Sequence, residues 1–392
     1  MIQILLIVLT VSQAFAWQTM PGALAARLLY WLLAVLVAWV VWRRGREFGR
    51  LTFWFVPALL IVVMAVSGSR AAPVPEWGTA PGTYWGYQLY WLAENASTAR
   101  YLVVGFFAYA YVLLSIYYTP PRIAESLAIA GVGVYLVVLA QEVGGVSPWV
   151  LVLQQPSYAA VLCALLLPAG DVLPGGVTWV YRFWGSIAIV LFPSQAGWLL
   201  LGVFWAYQLT RSALVVVVTG GLGLAVVVPF TLASFTDRVL FWRHAVRDFL
   251  QSPLLGIGPG RYYHFALSDQ YPGYFAHSLP LTLLSETGII GVLVLFLFVA
   301  MIWGTRRQRP SWANQVLGLA GCALVFDEAW LMWSVSFVIA AALATTPPDG
   351  DDVPTLTEAT IKMQVAQYYH MAQIKERIRG LQIKERIRRL WA

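Results

Sequence analysis

The chain has 392 residues, of which 60% are hydrophobic and only 11% are charged, and its net charge is +7. Soluble globular domains carry about 25% charged residues, because a surface in water must be largely polar. So few charges exclude a set of soluble domains and predict an all-α polytopic membrane protein. The positive charge is therefore interpreted through membrane topology, and it does not predict binding of nucleic acid.

Long apolar runs predict about twelve transmembrane helices. A span needs about 20 mainly apolar residues, and a helix satisfies its own backbone hydrogen bonds in lipid. The predicted spans are 1–17, 22–42, 51–69, 101–118, 124–141, 150–168, 183–195, 196–210, 212–232, 279–303, 313–327 and 329–346.

The basic residues predict the orientation of these spans, because Lys and Arg in short loops stay on the cytoplasmic side. A cytoplasmic N-terminus puts most of the 25 Lys and Arg residues in the cytoplasm. Two large loops, 70–100 and 233–280, are then periplasmic. Residues 1–346 form the predicted membrane domain, and 347–392 form a cytoplasmic tail with a duplicated amphipathic segment, QIKERIRGL followed by QIKERIRRL. The first span alternatively resembles a secretory signal, although it lacks a positively charged start.

The first periplasmic loop is rich in aromatic residues, including Trp77, Trp85 and Trp91. Aromatic side chains collect at membrane interfaces, so this loop is expected to contain an interfacial helix. A platform on which sugars stack is the alternative.

The second periplasmic loop holds three of the four histidines and a group of arginines. Within a predicted helix at 237–250, Arg243 and Arg247 are one turn apart, with Leu240 and Phe241 roughly opposite. This pattern indicates an amphipathic helix at the membrane surface. Its guanidinium groups suit phosphate, either of lipid head groups or of a pyrophosphate.

The sequence GIGPGR that follows predicts a tight turn that brings Arg261 and His264 back toward the helix ends. Backbone contact with phosphate is the lesser alternative, and a dinucleotide site is excluded because no βαβ unit is predicted. His277 comes where the loop enters the span at 279–303. A histidine there can be neutral near pH 7 and accept a proton.

Three motifs stand together in this part of the chain: Arg238 four residues before Trp242, then PLLGIGPG at 253–260, then HSLPLTLLSETGIIG at 277–291. Together they resemble the O-antigen ligase and polymerase superfamily of bacterial membrane glycosyltransferases. The ligase-type signature is His, then Asn, Ser or Gln, nine residues, Gly, two residues, and Gly, Thr or Tyr. It is matched by His277, Ser278, Gly288 and Gly291.

The resemblance implies an enzyme of the bacterial inner membrane that acts at the periplasmic face. It would transfer a glycan from undecaprenyl pyrophosphate to a hydroxyl of lipid A core or another acceptor, as an O-antigen ligase does in lipopolysaccharide assembly. His277 would be the base, and Arg238 would hold the pyrophosphate. No cofactor or metal is implied. A single displacement with the base opposite the leaving group would invert the anomeric centre.

One departure concerns a Ser-Arg pair of the family, which is Ser194-Gln195 in this chain. Glutamine can donate a hydrogen bond to phosphate but brings no charge, so Arg243 or Arg261 is expected to substitute. Arg247 and His264 complete the predicted substrate-binding residues. A repeat-unit polymerase and a protein O-oligosaccharyltransferase would share these residues and differ in acceptor. A lipid-linked glycan flippase is the alternative from another functional class.

Overall fold

The computed structural model describes residues 53–70, 84–143, 156–191, 194–211, 232–262, 276, 278–326 and 333–346. These residues form helices and no strand, as predicted for an all-α protein. The α-helices are α1 (Phe55–Arg70), α2 (Tyr84–Tyr117), α3 (Pro120–Val143), α4 (Pro156–Leu166), α5 (Gly175–Leu191), α6 (Gln195–Thr210), α7 (Leu232–Gln251), α8 (Leu279–Gly304), α9 (Ser311–Phe326) and α10 (Trp333–Leu343); Leu167–Val172 and Arg306–Gln308 are 3₁₀-helices.

Internal contacts divide the chain into two units, Met1–Thr346 and Pro347–Ala392. The second unit, which is the predicted cytoplasmic tail, lies outside the described residues. So do the predicted spans 1–17, 22–42 and 212–232.

Two of the described helices are long and apolar enough to cross a membrane, namely Pro120–Ala140 within α3 and Leu279–Gly304, which is α8. Five further apolar helices have 10–17 residues each within the described ranges. These helices agree with a helical membrane protein. The number of twelve spans stays a prediction.

Two predicted helix boundaries differ from the structure. The helix expected within the loop 70–100 is present at residues 84–100, but it is not separate from the next element: it is the first half of α2 and continues without a break into the predicted span at 101–118. The chain contains no Pro or Gly between Gly86 and Gly105, so nothing there stops the helix. The span predicted at 183–195 is α5, which begins at Gly175 and ends at Leu191.

α4 is the central helix of the bundle. All of its residues from Ala159 to Leu166 have 0% exposure, and α5, α6, α9 and α10 pack around it. A helix that is apolar on all sides must be enclosed by other elements. Helices at the periphery differ, since α5 exposes Trp179 and Phe183 and α8 exposes Phe296 and Trp303. Exposed apolar rows of this kind suit contact with lipid.

A partly buried polar network connects helix ends at one end of the bundle. Arg182 of α5 is paired with Asp171 in the first 3₁₀-helix. Gln315 Nε2 of α9 donates to Asp171 Oδ2 (3.0 Å), and Gln208 Nε2 of α6 donates to Gln315 Oε1 (2.6 Å). The topology predicted from the sequence puts these four residues on the same side of the membrane.

Candidate functional site

α8 carries a break in its backbone at Gly288, where φ is +65° and ψ is −161°. In a regular helix the N–H groups of residues 289 and 290 would donate to the carbonyls of residues 285 and 286. At this break those two hydrogen bonds are replaced, so four backbone groups need other partners. A free backbone group in an apolar environment is strongly unfavourable.

A tight turn formed by residues 252–261 supplies the partners. The turn lies against the break, and its backbone groups pair with the four groups that the helix releases. The bonds are Ile289 N to Pro253 O (2.9 Å), Ile290 N to Leu254 O (3.5 Å), Ile257 N to Ser285 O (2.8 Å) and Gly258 N to Glu286 O (3.0 Å). The motif at 253–260 and the end of the motif at 277–291 are therefore one structural unit.

Two glycines make this close approach possible. A Cβ on Gly256 would lie 2.3 Å from the carbonyl carbon of Glu286, and a Cβ on Gly288 would lie 2.5 Å from that of Leu254. Both residues have positive φ, a conformation that glycine adopts at little cost. The prediction of a tight turn at this sequence is confirmed. Both motifs contain glycine because the backbone of the turn and the backbone of α8 approach closely at these two positions.

A buried ion pair lies beside the docked turn. Arg100 Nε of α2 is 2.5 Å from Glu286 Oε2 of α8, and each side chain is 2% exposed. The hydroxyl of Ser67 in α1 is within hydrogen-bond distance of the carbonyl oxygens of Leu255 and Glu286, at 2.7 Å from the latter. Three helices and the turn thus meet around the Glu286 side chain.

α7 packs along α8 through the face that contains Phe241 and Ala245. Trp242 Nε1 donates to the carbonyl of Ala276 (3.0 Å), and the Tyr262 hydroxyl donates to the carbonyl of Phe241 (2.8 Å). The predicted helix at 237–250 is confirmed, but its buried face also includes Asp248, whereas Leu240 is exposed. The chain that precedes α8 is therefore held against α7 at Tyr262 and Ala276.

The opposite face of α7 carries a shallow, wide-open groove whose described lining residues all belong to this one helix. Arg243 and Arg247 line it together with Val239, Val246 and Leu250, and the two arginines are exposed. A pair of guanidinium groups beside apolar side chains matches a ligand that carries phosphate on a hydrocarbon chain. The groove therefore has the chemistry expected for an anionic lipid.

Asp248 lies on the buried face of the same helix and is 1% exposed. Among the described residues, neither of its carboxylate oxygens has a hydrogen-bond partner. Burial raises the pKa of Asp248 to about 7; the neighbouring Arg247 lowers this pKa, and the Glu286 carboxylate raises it. The carboxyl group is thus close to half protonated at neutral pH.

The predicted site residues are distributed as follows. Arg238 is partly buried on α7 and already takes part in an interaction, and Arg261 is partly buried at the end of the turn. His277 and His264 lie outside the described residues. The neighbours of His277 in the chain, Ala276 and Ser278, are both buried.

Ser194 and Gln195 have a structural position at the start of α6. Ser194 is buried, and its side chain accepts a hydrogen bond from the N–H of Gly197, which caps the helix. Within the described part of the chain, α6 packs mainly on α4, α5 and α9. The structure therefore does not bring this pair together with the arginines of α7.

Sequence reasoning missed Arg100, Glu286 and Asp248. Glu286 is an acidic residue within an otherwise apolar run, and an ionisable residue inside a span is a functional candidate by itself. That signal could have identified Glu286. Arg100 could not be paired with it from sequence, because the two residues are 186 positions apart.

Within the described ranges, no group of three or more His, Cys, Asp or Glu side chains is arranged to hold a metal ion. No protein-family model matches the chain, and no curated protein sequence matches it.

Proposed function

We propose that the protein transfers a glycan from undecaprenyl pyrophosphate to an acceptor hydroxyl at the periplasmic face of a bacterial inner membrane. The observation that carries the proposal is the groove on α7, where two exposed arginines lie beside apolar side chains. An isoprenoid pyrophosphate carries both an anionic group that arginine binds and a hydrocarbon chain that apolar side chains contact. The docked turn supports the proposal further, because it joins two of the three motifs that resemble the O-antigen ligase and polymerase superfamily.

In this proposal the arginines stabilise the leaving group. Pyrophosphate leaves as the bond between the sugar C1 and its oxygen breaks, and guanidinium groups neutralise the charge that develops. Arg238, Arg243, Arg247 and Arg261 all belong to α7 or to the turn that follows it. Arginines from this one segment would substitute for the charge that Gln195 does not provide.

His277 is proposed to remove the proton from the acceptor hydroxyl. A neutral imidazole is a suitable general base near pH 7, and such assistance contributes about 10²–10⁴-fold to the rate. The new bond then forms between the acceptor oxygen and C1, on the face opposite the departing pyrophosphate, with inversion. Transfer to lipid A core, as in an O-antigen ligase, is the preferred reaction because the full ligase-type signature is present.

A lipid-linked glycan flippase is the second candidate, and a specific observation favours it. Transporters often contain interrupted helices with buried charges, and α8 is interrupted beside the Arg100–Glu286 pair. In transporters the released backbone groups bind the substrate. In this protein they bind the turn at 253–258, so the interruption serves as a docking surface and the enzyme remains the better proposal.

The test is a transfer assay with purified protein and an undecaprenyl pyrophosphate-linked glycan. Three acceptors are compared: lipid A core, a second donor molecule and a serine-containing pilin-like peptide. We expect a glycosylated lipid A core product, with the same rate in EDTA. A product with the second donor would indicate a polymerase, and a glycopeptide would indicate a protein glycosyltransferase. Translocation of the donor without any covalent product would favour the flippase.

A further inference from the structure

Asp248 is a buried carboxyl group that the proposed reaction does not use. It is 1% exposed, and its two oxygens have no hydrogen-bond partner among the residues that the structure describes. Buried polar side chains in folded proteins nearly always have a partner, so such a group calls for an explanation.

Two charged groups act on Asp248, namely Arg247 of α7 and Glu286 of α8. Arg247 precedes it on α7 and lines the groove. Glu286 of α8 interacts with it electrostatically and is itself paired with Arg100 of α2. On the turn, the backbone of Gly260 lies beside the Glu286 carboxylate, and the next residue is Arg261. Arg261 Nη1 is buried and likewise has no hydrogen-bond partner within the described ranges.

We infer that Asp248 is a positioning residue for the anion site, a role that rests on the proposed function. When Asp248 carries a proton, it does not compete for the guanidinium of Arg247, which can bind a pyrophosphate-bearing lipid. When Asp248 is ionised, its carboxylate competes with that lipid for the Arg247 guanidinium.

The charges near Asp248 determine how its ionisation changes the affinity for the anionic lipid. An ionised Asp248 is repelled by the carboxylate of Glu286, whose positive partner is already Arg100, so its favourable interaction is with Arg247. A buried charge is only weakly screened by water and salt. Because the pKa of Asp248 is about 7, the carboxyl group is neutral well below pH 7 and charged well above it. Affinity for the anionic lipid is therefore retained at low pH and is weakened as pH rises through 7.

The test is a binding measurement with the full-length protein in nanodiscs and undecaprenyl pyrophosphate as the probe. Kd is measured at about six pH values from roughly 5.5 to 8.5 for the wild type and for Asp248→Asn, which keeps the shape of the protonated side chain. The phosphate groups of the probe titrate in this range too, so the decisive quantity is the ratio of the two Kd values at each pH.

We expect a ratio near one at the lowest pH and about tenfold weaker binding by the wild type at the highest. One unit charge on the order of 10 Å from the ligand, at an effective dielectric constant of about 20, changes a binding constant by roughly this factor. Asp248→Glu keeps the carboxylate and should retain the wild-type pH trend. Glu125→Gln removes an exposed carboxylate of α3 and should leave binding unchanged.

A Kd ratio that stays constant across the pH range, with the probe still bound, would overturn the role of Asp248 and leave the proposed function standing. Loss of the pH trend in Asp248→Glu would also overturn it, since the carboxylate is still present. Failure of the wild type to bind undecaprenyl pyrophosphate at any pH would overturn both proposals.

Discussion

Arg100 and Glu286 form a buried ion pair beside the docked turn. Its two atoms are 2.5 Å apart, and both side chains are almost completely buried. Removing water from two charges is costly, and their attraction offsets that cost only while both are present. The pair therefore holds α2 against α8 as long as it is intact.

Breaking this pair is expected to destabilise the protein strongly. Glu286→Gln leaves the Arg100 guanidinium buried without its counter-charge, and we expect the free energy of unfolding to fall by about 3–5 kcal/mol. Thermal unfolding in detergent measures the change. Glu125→Gln, which removes an exposed carboxylate, should shift stability by less than about 0.5 kcal/mol. A Glu286→Gln protein as stable as the wild type would show that the pair does not hold the two helices together.

At the scale of elements, the structure depends on the fit between the turn and the break in α8. The four hydrogen bonds across this contact replace two that a continuous helix would make. Gly288 has the positive φ that the break requires, and its missing side chain leaves room for the backbone of Leu254.

Gly288→Ala is expected to disrupt this fit. The added Cβ would lie 2.5 Å from the Leu254 carbonyl carbon, and the positive φ alone costs an alanine about 1–3 kcal/mol. We expect a clear loss of thermal stability and of donor binding. Gly318→Ala in α9 is the matched control, because its Cβ meets nothing within 4 Å, and it should be neutral or up to about 1 kcal/mol stabilising. Equal effects of the two substitutions would contradict a specific role for Gly288.

Local patterns in the sequence predicted several elements correctly. The spacing of Arg243 and Arg247 predicted the amphipathic helix that is α7, and the glycines at 256–260 predicted the tight turn. These features depend on residues within one or two turns of each other. The surface on which the turn docks could not be predicted, because a helix that breaks at Gly288 has the same apolar pattern as a continuous one.

At the scale of the whole molecule, composition predicted a helical membrane protein, and the described helices agree with it. The number of spans was harder to predict, since 60% hydrophobic residues make buried helices and lipid-facing helices look alike. α4 illustrates this point, because its apolar residues from Ala159 to Leu166 are enclosed by other helices. The aromatic residues before Arg100 indicated a membrane interface. They could not indicate that the helix there continues into the next span as one helix, α2.

In the predicted topology, the two polar clusters lie on opposite sides of the membrane. Arg100 and the docked turn belong to loops predicted to be periplasmic, and Glu286 lies in the half of the predicted span 279–303 that begins on that side. Asp171 and Arg182 belong to a loop predicted to be cytoplasmic, and Gln315 lies near the cytoplasmic start of the predicted span 313–327. Neither cluster joins residues from opposite sides of the predicted topology, which supports a periplasmic site in the proposed function.

The turnover of His277→Ala tests the proposal that this protein is a glycan transferase with a histidine base. In the transfer assay with an undecaprenyl pyrophosphate-linked glycan, we expect kcat to fall about 10²–10⁴-fold. Kd for the donor should change by less than about threefold, a free-energy difference below about 1 kcal/mol. His370→Ala, the same substitution in the tail, should keep wild-type turnover. A His277→Ala protein that transfers glycan at a near-normal rate would contradict the account.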